Sequence, residues 1–336
     1  MYISISIYRI LSMLLYSFTI NDNIEIQKLL REFDASPEDP DAFLLCASRL
    51  SERLPEDIKH RLTQFKNNQN TTGFIVFQDV LMHNHLLPDT PPDNKQFVGE
   101  KTEYAKIIAM FNQYLGNMIA YEGEGYGRLF QDMVPNKQLS ESQTSLGSKN
   151  ELEIHTEQAF SRLRPDILTL GCLRGDKHAT TYIFPVNLLL NNMLEKDIEC
   201  LRKPLWKIGV DLSFRMCQTD FIEGECRGPI PILYGSEENP MLVFDQDLMT
   251  GINEEAERLK NEIIQIYYKY RYAYVMQPGE IIFIDNQRAV HGRSPFTPRY
   301  DGNDRFIVRS FVTYDLSKSE YARSKDHPYR IDAKYS

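Results

Sequence analysis

Two histidines and a carboxylate, set far apart in the sequence, constrain this chain more than any other feature. In Glu153-Ile154-His155-Thr156-Glu157 an imidazole and a carboxylate stand at i and i+2. If that segment is extended, both side chains point to one face and can address one ligand. The second histidine, His291, lies in Asp285-Asn286-Gln287-Arg288-Ala289-Val290-His291-Gly292-Arg293. It follows Pro278-Gly279-Glu280 and the apolar run Ile281-Ile282-Phe283-Ile284. That order reads as a tight turn, a buried strand and then a polar loop that delivers His291. Taken alone, His155 with Glu157 is a weak signal, since such pairs arise by chance. With a distant histidine it becomes the facial triad that holds Fe(II) and leaves positions open for substrate and O2. Arg305 opens the strand-like run of residues 305–312. An arginine there can grip one end of a dicarboxylate through two parallel hydrogen bonds.

The segments LEIHTEQAF, RPDILTLGCLRGD and ATTY, followed by IIFIDNQRAVHGRSPFTPRYDGNDRFIVRSFV, resemble the clavaminate synthase-like Fe(II)/2-oxoglutarate oxygenases. That group includes arginine and lysine hydroxylases. The resemblance is continuous over residues 121–315 and only general before them. It implies a mixed α/β fold, a double-stranded β-helix (jelly roll) with flanking helices, mostly N-terminal. It implies that His155, Glu157 and His291 hold Fe(II), and that Arg305 and Thr181 hold the far carboxylate of 2-oxoglutarate. On the substrate side it implies Glu124 at the amine, Ser145 and Arg309 at the α-carboxylate, and Asp245, with Asp247 two residues on, at a cationic side chain. Oxidative decarboxylation with O2 would release succinate and CO2. A carboxylate at position 157, where some relatives carry Gly or Ala, argues for hydroxylation over halogenation.

The residues themselves leave several of these roles open. Glu124, in the glycine-bearing acidic stretch 121–132, reads equally as part of a solvated turn. Thr181 fits a strand simply as a β-former. Arg309 shares a face with Arg305 if the run is extended, or else pairs with a surface acid. Asp245 and Asp247 are same-faced counter-charges for a buried cation if extended, or an N-terminal cap cluster for a helix over 253–268.

Composition bounds the rest. At 336 residues and 42% apolar, the chain can bury one large core. A net charge of −9 argues against a nucleic-acid partner and suits a small cationic one. The five cysteines (Cys46, Cys172, Cys200, Cys217, Cys226) lack metal-ligand spacing and read as reduced thiols of a cytoplasmic protein. Residues 1–20 carry Arg9 and several hydroxyls, so they read as an added strand or poorly ordered extension and not as a membrane anchor.

Residues 21–336 form a single domain on this reading: a helical part over about 21–120, the jelly-roll core over about 121–315 and a tail over 316–336. Helical spacing marks 21–68, 103–120, 188–201 and 253–268; strands are expected at 73–77, 165–173 and 179–183. His83 and His85 read as a surface pair, and residues 203–231 as the lid. The protein is expected to be a monomer or homodimer.

The function these features favour is hydroxylation of a free cationic L-amino acid, arginine or lysine, with ornithine included. The alternatives are a hydroxylase of a neutral amino acid such as asparagine, an oxidative cyclase or desaturase, or a non-catalytic binding module. A zinc hydrolase would not need Arg305.

Overall fold

The computed structural model describes residues 14–68, 72–81, 87–211 and 226–335. The first segment gives strand β1 (Leu15–Ser17) and helices α1 (Ile20–Glu32), α2 (Pro40–Ser51) and α3 (Glu56–Lys66). Next come β2 (Phe74–Gln78), α4 (Glu103–Leu115), β3 (Asn117–Tyr121), β4 (Gln131–Met133), β5 (Leu152–His155), β6 (Ile167–Arg174) and β7 (Thr181–Pro185). The chain continues through α5 (Val186–Leu190), α6 (Glu195–Leu201), β8 (Trp206–Gly209), β9 (Cys226–Ile230), β10 (Leu233–Gly235), β11 (Pro240–Leu242) and β12 (Met249–Gly251). It ends with α7 (Glu254–Tyr270), β13 (Tyr272–Tyr274), β14 (Glu280–Asp285), β15 (Ala289–Arg293), β16 (Phe306–Thr313) and β17 (Arg330–Ile331).

Among the described residues the major sheet has the order β1-β2-β14-β6-β16-β3-β17, with β4 pairing β16, and the minor sheet the order β13-β7-β15-β5. The two sheets form the jelly roll. Strand β14 has a continuous apolar centre, residues 281–284, because both of its faces are packed. Ile282 and Ile284 join the core that also contains Ile183, Phe184 and Val290 of the minor sheet. Ile281 and Phe283 join a second core with Ile107 and Phe111 of α4 and Leu62 and Phe65 of α3. Both faces are covered, so the usual alternation with polar residues is absent. Where a polar group does enter the helix–sheet layer, it is satisfied: Asn112 of α4 donates to Ser310 Oγ (2.8 Å) and accepts from Thr169 Oγ1 (2.7 Å).

Local signals set the helix starts. Thr19 caps α1 reciprocally with Asp22, and Asp39 caps α2 ahead of Pro40. The expected helix over 103–120 stops early. Gly116 lies so close to β16 that a Cβ there would stand 2.5 Å from the Thr313 carbonyl oxygen; residues 117–119 pair with that strand instead, and residues 120–121 with β17. Residues 188–201 are likewise split between α5 and α6. The N-cap of α7 is Asn253, whose side chain accepts from Ala256 N at 2.9 Å, so neither Asp245 nor Asp247 caps that helix.

At the domain edges the added strand, one of the two readings of residues 1–20, is present over residues 15–17, while the tail differs from the expectation. Residues 15–17 of the anticipated extension pair in parallel with β2. Residues 330–331 of the tail pair in parallel with β3, so both segments belong to the major sheet. His83, His85 and the middle of the anticipated lid (212–225) lie outside the described residues, as do residues 1–13. Cys46, Cys172 and Cys200 are free thiols, and no helix among the described residues is long and apolar enough to cross a membrane.

Candidate active site

Strands β5 and β15 pair antiparallel with His155 directly opposite His291, and the two ring centroids are 4.4 Å apart. Glu157 completes the group: one ligand atom from each of the three residues lies within 4.8 Å of the others. The carboxylate does not arrive along the strand, as the i, i+2 argument supposed. Strand β5 ends at His155, and Glu157 lies in the turn that follows. Asn286 holds that turn. Its Oδ1 accepts from Glu157 N (2.8 Å), and its Nδ2 donates to the Glu157 carbonyl (3.1 Å) and to the Pro165 carbonyl (2.8 Å).

The donor set fits a metal. His155 Nδ1 is bonded to the Glu153 carbonyl at 2.8 Å, which leaves Nε2 facing the cluster. His291 Nε2 stands 3.6 Å from Glu157 Oε2, too far for a hydrogen bond but suitable for two atoms sharing one ion. That oxygen is buried and otherwise unpartnered, and so is His291 Nδ1. Burial, with the neighbouring His155, lowers the His291 pKa to about 4, so the ring is neutral at pH 7 and free to ligate. For Glu157, burial alone would raise the carboxyl. Arg309 and the two imidazoles outweigh it and leave the pKa at about 2.

Arg309, on β16, ties the metal group to a second cluster. Its Nη1 donates to Glu157 Oε1 (3.0 Å) and its Nε to Gln131 Oε1 (3.1 Å), and its Nη2 meets Glu124. Glu124 also accepts from Gln158 Nε2 at 2.9 Å. Burial pushes the Glu124 pKa up to about 7, against the pull of Arg309.

Asp245 lies beside His155 across an antiparallel bridge. Its Oδ1 accepts from Leu248 N at 2.7 Å, and the second oxygen has no hydrogen bond among the described residues. Burial pushes this carboxyl up to about 6, opposed by His155. Asp247 does not accompany it, because the chain turns after residue 245 and leaves Asp247 exposed. The acid whose charge bears on Asp245 and on Glu124, besides the metal group, is Asp211, at the edge of the undescribed segment.

Thr181 opens β7 directly opposite Arg293 of β15, and its buried Oγ1 has no partner. Arg305 is buried just ahead of β16 and makes no hydrogen bond or ion pair among the described residues; burial lowers its pKa. A buried cation and a buried hydroxyl, both unpartnered, fit one end of a dicarboxylate. Arg293 is buried too, its pKa lowered to about 9 by burial and by nearby Arg305. Ser145 is half-buried, and its carbonyl, not its hydroxyl, accepts from Arg293 Nη1 at 3.4 Å. Gln131, Asn286, Arg293 and Asp211 went unnoticed in the sequence. Asn286 and Arg293 flank His291, and only that proximity marks them.

Residues 230–311 match the taurine catabolism dioxygenase TauD, TfdA family. An L-lysine 3-hydroxylase of Catenulispora acidiphila is 46% identical over 84% of this chain and 78% of its own. A structure of asparagine oxygenase with Fe(II), 3-hydroxyasparagine and succinate superposes with a TM-score of 0.85 at 28% identity, covering 95% of this chain and 99% of that one. One of the non-heme iron oxygenase OrfP with Fe, succinate and (3S)-hydroxy-L-Arg gives 0.84 at 28% identity, covering 94% and 99%. The chain therefore belongs to the clavaminate synthase-like Fe(II)/2-oxoglutarate-dependent oxygenases, in their amino-acid hydroxylase branch.

Proposed function

We propose that this protein hydroxylates an unactivated carbon of a free cationic L-amino acid, lysine first and arginine or ornithine next, releasing succinate and CO2. The observation that carries the cationic preference is Asp245. A buried carboxyl with one oxygen unclaimed, beside a metal-facing histidine, is costly to ionise alone and becomes favourable once an ammonium or guanidinium arrives. The relatives support the same substrate class: one is an L-lysine 3-hydroxylase, and OrfP is seen with a hydroxyarginine. An asparagine oxygenase shares the fold equally well, so the acid and not the scaffold favours a cation.

In this reading His155 Nε2, Glu157 Oε2 and His291 Nε2 hold Fe(II). Bound there together with 2-oxoglutarate, Fe(II) would supply the O2-dependent oxidising chemistry that hydroxylation needs. Arg305 and Thr181 hold the far carboxylate of the co-substrate. Arg309 meets the substrate α-carboxylate, Glu124 its α-ammonium, and Ser145 lines the same end. Asp245 takes the side-chain cation; Asp247, exposed on its turn, acts at most through solvent. Because Arg309 already donates to Glu157 Oε1, the other oxygen of that carboxylate is left for the metal. The free thiols suit a reducing compartment, and we read the enzyme as cytoplasmic.

The test is succinate formation, with O2 and Fe(II), over a panel of free amino acids. Lysine should turn over fastest, ahead of arginine and ornithine, with asparagine near background. Turnover with neutral but not basic amino acids would sink the assignment of Asp245.

A further inference from the structure

We infer that Arg293 is a second cation at the co-substrate carboxylate, acting with Arg305 to make this site selective for a dicarboxylic 2-oxo acid. The inference rests on the proposed co-substrate but not on which amino acid is hydroxylated. Three placements carry it. On β15, Arg293 is two residues from His291, so both side chains leave the same face of the minor sheet, about 7 Å apart along the strand. Directly across the ladder stands Thr181, with its buried unpartnered hydroxyl. Arg305 enters from the facing major sheet, just ahead of β16.

The partners of Arg293 do not neutralise it. Nε donates to the Ser294 carbonyl (3.1 Å), Nη1 to that of Ser145 (3.4 Å) and Nη2 to that of Asn150 (3.4 Å), and the guanidinium lies over the Phe296 ring at 5.0 Å. All three acceptors are neutral, and two of the bonds are long. Arg305 has no hydrogen bond at all among the described residues, and Asp176, whose charge reaches it, forms no ion pair with it. Two buried guanidinium groups without a carboxylate between them are costly, and one anion held by both removes the cost. A monocarboxylic 2-oxo acid spends its only carboxylate at the metal and has nothing to offer here. A five-carbon diacid reaches both ends.

The competing account is that Arg293 only pins the loop carrying Ser145 and Asn150. That role would disturb amino-acid binding and leave the diacid end intact. The experiment compares wild type with Arg293→Gln and Arg293→Lys, each checked for folding by its thermal transition. Calorimetry measures binding of glutarate, which lacks the keto group, to metal-free protein. Steady-state assays give KM for 2-oxoglutarate and for lysine separately. Arg293→Gln should weaken glutarate and raise KM for 2-oxoglutarate at least tenfold, with KM for lysine within twofold. Arg293→Lys should recover part of both losses.

Unchanged glutarate affinity in Arg293→Gln, no glutarate binding by wild type, or a rise confined to the lysine KM would overturn the inference. None of these touches the substrate assignment, which is scored by the amino-acid panel on wild type. If Arg293→Gln fails to fold, Arg293→Lys decides: it keeps the charge but loses the fork, and an unchanged 2-oxoglutarate KM counts against us.

Discussion

At the scale of single residues, one side chain sets where the metal carboxylate stands. Asn286 clamps the Glu157 backbone from both sides and reaches Pro165 as well. Asn286→Ala should lower Fe(II) affinity by about 10–100-fold, the range seen when a supporting contact to a ligand is lost. A metal titration followed by the thermal transition would measure it, and unchanged affinity would mean that the turn holds without the clamp. Asp245 gives a second residue-scale expectation. Its pKa of about 6 means that the anion dominates at pH 7 and the neutral acid below pH 6. KM for lysine should therefore rise as pH falls through about 6. Asp245→Asn should raise KM at pH 7 by about 10–150-fold, as for a lost charged hydrogen bond, and flatten that acid limb. A variant with the wild-type pH profile would contradict the pairing.

Residue types were legible where chemistry demands them, and their partners were not. His155, Glu157 and His291 stand out because few structures need that set; Asn286 does not, since an asparagine in a polar loop has many uses. His155 and Glu157 meet at one point, as their spacing suggests, but not by sharing a strand face: a clamp 129 residues away turns the chain after β5. Asp245 and Asp247 failed as a same-faced pair for a similar reason, the turn at residues 246–248 being invisible in Gln-Asp-Leu.

At the scale of elements, β5 and β15 hold the two histidines in register only if their backbones approach closely. Gly292 permits it: a Cβ there would stand 2.6 Å from the Leu152 carbonyl oxygen, backbone that cannot swing aside. Gly292→Ala should push β5 outward and move His155 off the ion, costing at least tenfold in Fe(II) affinity while far-ultraviolet circular dichroism stays native. Unaltered metal binding would show that the two strands have slack. Strands β14 and β16 were the most legible elements, being long and rich in apolar β-branched residues, whereas β15, which carries His291, reads in the sequence as a polar loop and is a buried strand. The end of the helix at Gly116 was not legible either, because Met118 and Ile119 continue its apolar spacing while β16 draws them into the sheet.

At the scale of the molecule, the sequence divided the chain into a helical part and a jelly-roll part, and the fold joins them. Strands β2 and β3 come from the helical part and β1 from the extension before it; all three lie in the major sheet, and the helices cover that sheet's outer face. Long-range pairing of this kind leaves no local mark. The same holds for β17, which lies along β3: Ile331 is buried opposite Tyr121, and its carbonyl accepts from Glu122 N at 2.9 Å. Ile331→Asp would place an uncompensated charge there and should detach the strand, lowering Tm and giving light scattering on warming. A soluble variant with unchanged Tm would refute it. Two residues thus act as a selvedge, closing hydrogen-bonding groups of β3 that could otherwise template another chain. Tags or truncations near residue 330 are best judged by colloidal behaviour before any loss of turnover is blamed on chemistry.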